Sequence, residues 1–169
     1  MAHKVFISKE EFSEMTLALC KKIAKTKIRF YNVYGIERGG IYVSKPVSKH
    51  LLADHRSFKI SFYSDEDRLN AEPVYDFGRN DFEHIKKTAY SPFLICEDLI
   101  DSGSTLSFFI KRTGLIQGKD FYLASLYYNK SNGKGIKPDF WINEKKEDEW
   151  IVFPHEVEED TLKMLKASA

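Results

Sequence analysis

Short apolar runs alternate along the chain with stretches in which apolar residues return every three or four positions, the pattern of strands alternating with helices. Val5-Phe6-Ile7 predicts a first strand, and Ser8 followed by Glu11 has the form of a capping box that opens a helix. Phe12, Met15, Leu19 and Ile23 follow at spacings of 3, 4 and 4, which puts them on one helical face, with Lys21, Lys22 and Lys25 largely outside it. Val33-Tyr34-Gly35-Ile36 predicts a second strand ending in the turn Glu37-Arg38-Gly39-Gly40. Val43, Val47, Leu51 and Leu52 then recur at helical spacing, with Pro46 expected in the first turn, where its missing N–H has no partner to lose.

Further strands are predicted over 58–63, 93–96, 121–128, 139–142 and 150–153, with a helix through Leu106, Phe109 and Ile110 and a terminal helix around 162–165. The polar stretch 64–91 matches no regular element. Compact domains seldom carry a structureless connection of that length unless it serves as a lid or binding loop, so a mobile lid is expected there. Strands alternating with helices argue for an α/β fold with a mostly parallel central sheet covered on both faces. In such sheets ligands bind beyond the carboxyl ends of the strands, where both glycine-containing turns of this chain fall.

The segment Phe93 to Leu106, FLICEDLIDSGSTL, holds the strongest chemistry. Ser102-Gly103-Ser104-Thr105 offers hydroxyls, backbone N–H groups and a helix N-terminus, which together suit a phosphate dianion without a lysine. Glu97 and Asp98 lie just upstream, where carboxylates can accept from a diol or hold a divalent cation through hard oxygen ligands. Taken singly, these acids could be solvated groups at a strand end, with Asp101 or Ser102 capping the next helix. Their joint placement after a buried strand favours a sugar-phosphate site.

This segment resembles the phosphoribosyl-pyrophosphate (PRPP) motif of type I phosphoribosyltransferases, in which an apolar strand leads to two acids, two apolar residues, a third acid and a Thr/Ser-Gly loop. By that resemblance Glu97 and Asp98 contact the ribose 2- and 3-hydroxyls and hold Mg²⁺, residues 101–105 wrap the 5-phosphate, and Asp101 faces the purine N7 as general base. Ile36-Glu37-Arg38-Gly39-Gly40 is similar to the family's pyrophosphate loop, with Arg38 and Gly39 as the binding residues and a cis peptide implied at Glu37-Arg38. Glu37 stands where the family more often has a small residue. Lys130 and the run Asp148 to Pro154 resemble the base-binding region of 6-oxopurine enzymes: Lys130 donates to the 6-oxo group, Trp150 stacks on the base, and the Ile151 carbonyl accepts from it.

The resemblance runs from the first strand to Pro154 and is nearest to the compact bacterial xanthine/hypoxanthine/guanine phosphoribosyltransferases. It implies one domain over 1–169, with a lid at about 64–91, a base-binding hood at about 129–156 among the terminal segments, and a homodimer or homotetramer. The activity it implies is Mg²⁺-dependent transfer of 5-phosphoribosyl from PRPP to guanine, hypoxanthine or xanthine in purine salvage. His155, Glu156 and the rest of the C-terminal helix fall outside the pattern and are given no catalytic role. A phosphoribosyltransferase acting on another base, a nucleotide-sensing regulator on the same fold, and a bare sugar-phosphate binding module remain as alternatives.

Composition changes this picture little. The 169 residues carry 26 Lys+Arg against 25 Asp+Glu and are 43% hydrophobic, which fits a single globular domain. The net charge of +1 gives no basic stripe for nucleic acid, so no nucleic-acid partner is expected. No run of apolar residues is long enough to span a membrane, the first residues do not read as a signal peptide, and Cys20 and Cys96 suit reduced core thiols; a cytoplasmic protein is expected.

Overall fold

The computed structural model describes residues 3–63 and 74–168. In chain order the elements are β1 (His3–Phe6), α1 (Lys9–Ala24), β2 (Asn32–Ile36), α2 (Gly39–Leu51), β3 (Asp54–Phe58), β4 (Ile60–Tyr63), β5 (Val74–Phe77), α3 (Arg79–Thr88), β6 (Phe93–Ile100), α4 (Ser104–Thr113), β7 (Phe121–Asn129), β8 (Phe140–Lys145), β9 (Glu149–Val152) and α5 (Pro154–Ser168). The predicted capping box opens α1: the Glu11 N–H donates to Ser8 Oγ at 3.1 Å and the Ser8 N–H to Glu11 Oε2 at 2.8 Å.

Five strands form one parallel sheet in the order β3-β2-β6-β7-β8. Strand alternation sends side chains to two cores. Val33, Leu94, Cys96, Ala124 and Leu126 face α1 and α2, where Leu19, Ile23, Val43 and Val47 cover them. Tyr34, Phe93, Ile95, Phe121 and Leu123 face α3 and α4, where Ile85, Leu106 and Phe109 cover them. The second core is rich in rings, with Phe109 stacked on Phe58 at 5.4 Å and edge-on to Phe121 at 5.5 Å. Cys20 and Cys96 are both buried and unbridged, as expected.

The terminal segments build a small hood. β1 pairs in parallel with β9, and α5 follows directly. The expected hood range of 129–156 is too wide, because β8 adds to the main sheet beside β7 instead. Three other expectations are corrected. Residues 58–63 do not form one strand: β3 ends at Phe58 and pairs with β2, and β4 begins at Ile60 in an antiparallel pair with β5. The stretch 64–91 is not structureless throughout, since it contains β5 and α3; the rest of the expected lid, 64–73, lies outside the described residues. Polar spacing hid α3, whose buried contribution to the second core is Ile85. Pro46 is interior to α2, because that helix begins at Gly39 itself and not after the turn.

The start of α2 sits hard against β2. A Cβ on Gly35 would lie 2.9 Å from the Gly40 carbonyl carbon and oxygen, and closer still to Ser44 Oγ. Only glycine lets strand and helix approach this closely, and the approach fixes where the turn at 37–40 points. Gly35→Ala is expected to lower stability by about 1–3 kcal/mol, the usual range for overpacking a filled site, read as a shift in the urea unfolding midpoint.

Candidate functional site

The site is built on β6, whose length the sequence understates. The strand does not stop at Cys96 but runs to Ile100, because β7 continues to pair with it: Glu97 lies opposite Ser125, Leu99 opposite Tyr127 and Ile100 opposite Tyr128. On its other side the ladder with β2 ends at Gly35 opposite Cys96. β6 therefore projects Glu97 and Asp98 beyond the end of β2, and the turn at 37–40 fills the step. A Cβ on Gly40 would lie 2.5 Å from the Cys96 carbonyl oxygen and 3.1 Å from Glu97 Oε2, and one on Gly39 would overlap the Asp98 carboxyl group. The turn at 37–40 is thus in direct contact with the Glu97-Asp98 pair.

Each carboxylate has a distinct environment. Burial, and after it the neighbouring Asp98 charge, raises the Glu97 carboxyl well above its ordinary range. Asp98 accepts the Leu99 N–H on Oδ1 at 2.8 Å, and its Oδ2 lies 2.8 Å from Nε2 of His155. The pair concentrates negative charge in a place that disfavours it, which is the electrostatic setting a cation or a set of hydroxyl donors would relieve.

Arg38 stands at the N-terminus of α2 with its side chain 68% exposed, 3.1 Å from Glu159 of α5. The Glu37-Arg38 peptide is cis, as the resemblance implies. Glu37, the unusual acid of this loop, accepts a 2.8 Å hydrogen bond from Ser57 Oγ on β3. Its carboxylate is engaged with β3, so it does not stand in the way of an anion at Arg38 and the Gly39 N–H.

Residues 101–105, with Glu97, Leu99, Ile100 and Leu106, line a cavity of about 180 Å³. Gly103 is left-handed at φ 72°, and a Cβ there would meet Asn132 Oδ1 at 2.9 Å, so the turn into α4 requires glycine twice over. No side chain caps α4 at its N-cap, although Ser102 Oγ accepts the Ser104 N–H at 3.2 Å. The arrangement aims backbone donors and a positive helix end into a small polar cavity.

Asp101 lies at the mouth of this cavity and is held by two residues that no sequence motif marks. Lys145 Nζ is 3.2 Å from Asp101 Oδ1, and Asn129 Nδ2 donates to the same oxygen at 3.1 Å. The Lys145 side chain is only 10% exposed, so its ammonium is turned into the site and away from solvent. Asn129 and Lys145 end β7 and β8, so Asp101 and both donors share the carboxyl edge of the sheet. Lys145 was obscured by its setting in the charged run Glu144-Lys145-Lys146-Glu147, which reads as a solvated loop.

The expected base-binding residues lie on two elements, Lys130 just after β7 and Trp150 and Ile151 on β9. Lys130 follows Asn129 at the end of β7 and lies 3.8 Å from Glu144. Ile151 is buried in the core beneath α1 and α2. Trp150 is 58% exposed and lines a groove of about 500 Å³ with Phe6 of β1 and Val157 and Met164 of α5. Pairing explains this: Lys4 lies opposite Trp150 and Val5 opposite Ile151, so the period of two turns Ile151 inward and Trp150 outward. Trp150 and Asp101 line different cavities in this structure.

No family model and no curated protein matches the chain. Solved structures do match it, over nearly its whole length. The purine phosphoribosyltransferase of Pyrococcus horikoshii is 22% identical, with 90% of this chain and 93% of that one covered and a TM-score of 0.69. The xanthine-guanine-hypoxanthine phosphoribosyltransferase of Helicobacter pylori is also 22% identical, with 96% and 99% covered and a TM-score of 0.65. A hypothetical protein of Neisseria gonorrhoeae with bound ppGpp is 16% identical, with 98% of each chain covered and a TM-score of 0.74. At these identities what is shared is the architecture: this chain has the fold of the type I phosphoribosyltransferases, a mostly parallel central sheet flanked by helices.

Proposed function

We propose that the protein is an Mg²⁺-dependent purine phosphoribosyltransferase that moves 5-phosphoribosyl from PRPP to a 6-oxopurine, releasing pyrophosphate and forming the nucleoside 5'-monophosphate in purine salvage. One observation carries the reading. Asp98 and Glu97 pack against Gly39 and Gly40 of the turn after β2, and Glu97 shares a cavity with the 101–105 loop. A ribose bearing a phosphate at one end and a pyrophosphate at the other has matching groups in that order.

In the proposed reaction the bond from the anomeric carbon to pyrophosphate breaks, a purine nitrogen bonds to that carbon with inversion, and the ring proton passes to Asp101. Residues 102–105 hold the 5-phosphate through backbone N–H groups, while Arg38 and the Gly39 N–H take the pyrophosphate. The Arg38 guanidinium, 68% exposed beside a half-buried Glu159, is open to the pyrophosphate, which would take the place of Glu159. Catalysis on this reading is positioning and charge stabilisation, with no covalent enzyme intermediate.

Glu97 and Asp98 are the residues that would hold Mg²⁺. Among the described residues no group of three or more His, Cys, Asp and Glu forms a full metal cage. None is required, because Mg²⁺ commonly uses one or two carboxylates together with water and substrate phosphate oxygens. The raised Glu97 carboxyl supports the fit, since a dication would offset the repulsion from Asp98. When bound, Mg²⁺ supplies positive charge to the leaving pyrophosphate.

Lys130 and Lys145, at the ends of β7 and β8, support a base with an oxo group over adenine, because an ammonium can donate to that oxygen. Trp150, exposed on β9, is the ring the resemblance offers to stack on that base. The dimer or tetramer implied by the resemblance is part of the same proposal. The Neisseria protein with bound ppGpp supports a second reading, a regulator that binds a nucleotide with paired phosphates and does not turn over.

Pyrophosphate release from PRPP separates the two. Hypoxanthine, guanine or xanthine is expected to support turnover and adenine is not; binding of PRPP or ppGpp without release with any base would favour the regulator. Asp101→Asn is expected to lower kcat on the order of a hundredfold or more, the usual loss when a general base is removed. Chelation of divalent cations by EDTA is expected to abolish release, and added Mg²⁺ to restore it.

A further inference from the structure

His155 is the least expected group near the site. Its side chain is 6% exposed at the start of α5, stacked on Tyr42 of α2 at 4.2 Å and 8°, and on Phe153 at 5.4 Å and 7°, with the edge of Phe12 5.7 Å away. Such an aromatic slot would accept a phenyl ring at no polar cost. What an imidazole adds is a hydrogen bond, and the one it makes, 2.8 Å from Nε2 to Asp98 Oδ2, is to a carboxylate of the proposed PRPP site. In the tautomer that carries the proton on Nε2, the imidazole donates to Asp98 Oδ2.

We infer that His155 is a positioning residue for the PRPP site, clamping the Asp98 carboxylate in the orientation that meets the ribose hydroxyls or the cation. Asp98 is otherwise held on Oδ1 by the Leu99 N–H and faced by the Gly39 backbone. With the imidazole on Oδ2, each oxygen keeps a lone pair in a fixed direction, so a ligand finds the carboxylate already oriented. The slot itself ties three elements together. Tyr42 belongs to α2, whose N-terminus carries Arg38 and Gly39; Asp98 belongs to β6; and Glu159, one turn beyond His155, reaches Arg38 at 3.1 Å. The first turns of α5, which the sequence motif leaves out, thus contact both Asp98 and Arg38.

This inference rests on the phosphoribosyl-transfer reading, and the test separates the two. His155→Phe keeps the ring between Tyr42 and Phe153 and removes the donor. Loss of such an outer partner typically costs 10–100-fold in ligand affinity or activity, so KM for PRPP·Mg²⁺ is expected to rise at least tenfold while KM for the purine stays within about twofold. His155→Gln, whose amide can donate, is expected to recover part of the loss. A folded His155→Phe with wild-type KM for PRPP overturns the positioning role while leaving the enzyme reading intact. Wild-type protein that neither binds PRPP nor releases pyrophosphate overturns both. If His155→Phe does not fold, the Nε2–H resonance of His155 in the wild type is the second readout: it is expected to shift on addition of PRPP·Mg²⁺, and no shift at saturation overturns the role.

Discussion

Two adjacent carboxylates at the end of a buried strand are the constraint around which the rest of this structure is arranged. Glu97 sits where burial, and after it the neighbouring Asp98 charge, penalises ionisation, and its carboxyl is pushed up accordingly. A chain that keeps such a pair must surround it with donors and leave no room for disorder. Leu99 supplies its own N–H, His155 a ring nitrogen, and the two glycines of the α2 turn close the remaining side with backbone alone. Side chains on that turn would push it off β6, so the glycines answer to the acids as much as to the turn.

The sheet makes this geometry possible. β6 is flanked on both sides for its first residues and on one side only for its last, because β2 ends a step earlier. The unequal lengths create a ledge, and parallel strands put every such ledge at the same edge of the sheet. Asp101, Asn129 and Lys145 then fall in a row across β6, β7 and β8, from segments distant in sequence. The hydrophobic cores above and below hold the row rigid, with aliphatic packing against α1 and α2 and stacked rings against α3 and α4.

Much of this was legible in the amino-acid sequence, for reasons that differ by element. The capping box at Ser8 and the apolar face of α1 are local signals, and the structure has both. The phosphate loop and the Arg-Gly-Gly turn are short motifs whose chemistry depends on residues adjacent in the chain, so their contents could be read even though the packing of the turn on Glu97 and Asp98 could not. What escaped was whatever pairing decides. The charged second half of β6 is strand only because β7 lies beside it. Residues 58–63 look like one run but belong to two sheets, and the register with β1 turns Ile151 inward and leaves Trp150 exposed. Lys145 and His155 had no motif at all; each matters through one partner far away in sequence.

The pairing of β1 with β9 joins residues 3–6 to residues 149–152, the widest separation of any strand pair among the described residues. The five-stranded sheet closes without it, but the hood and the start of α5 cannot dock until those last residues have left the ribosome. Before that moment the nascent chain holds the phosphate loop and the glycine turn without the histidine that faces Asp98. Assembly of the complete cleft therefore waits on residues 149–159, and a chain truncated before residue 149 would carry the motif without the finished pocket.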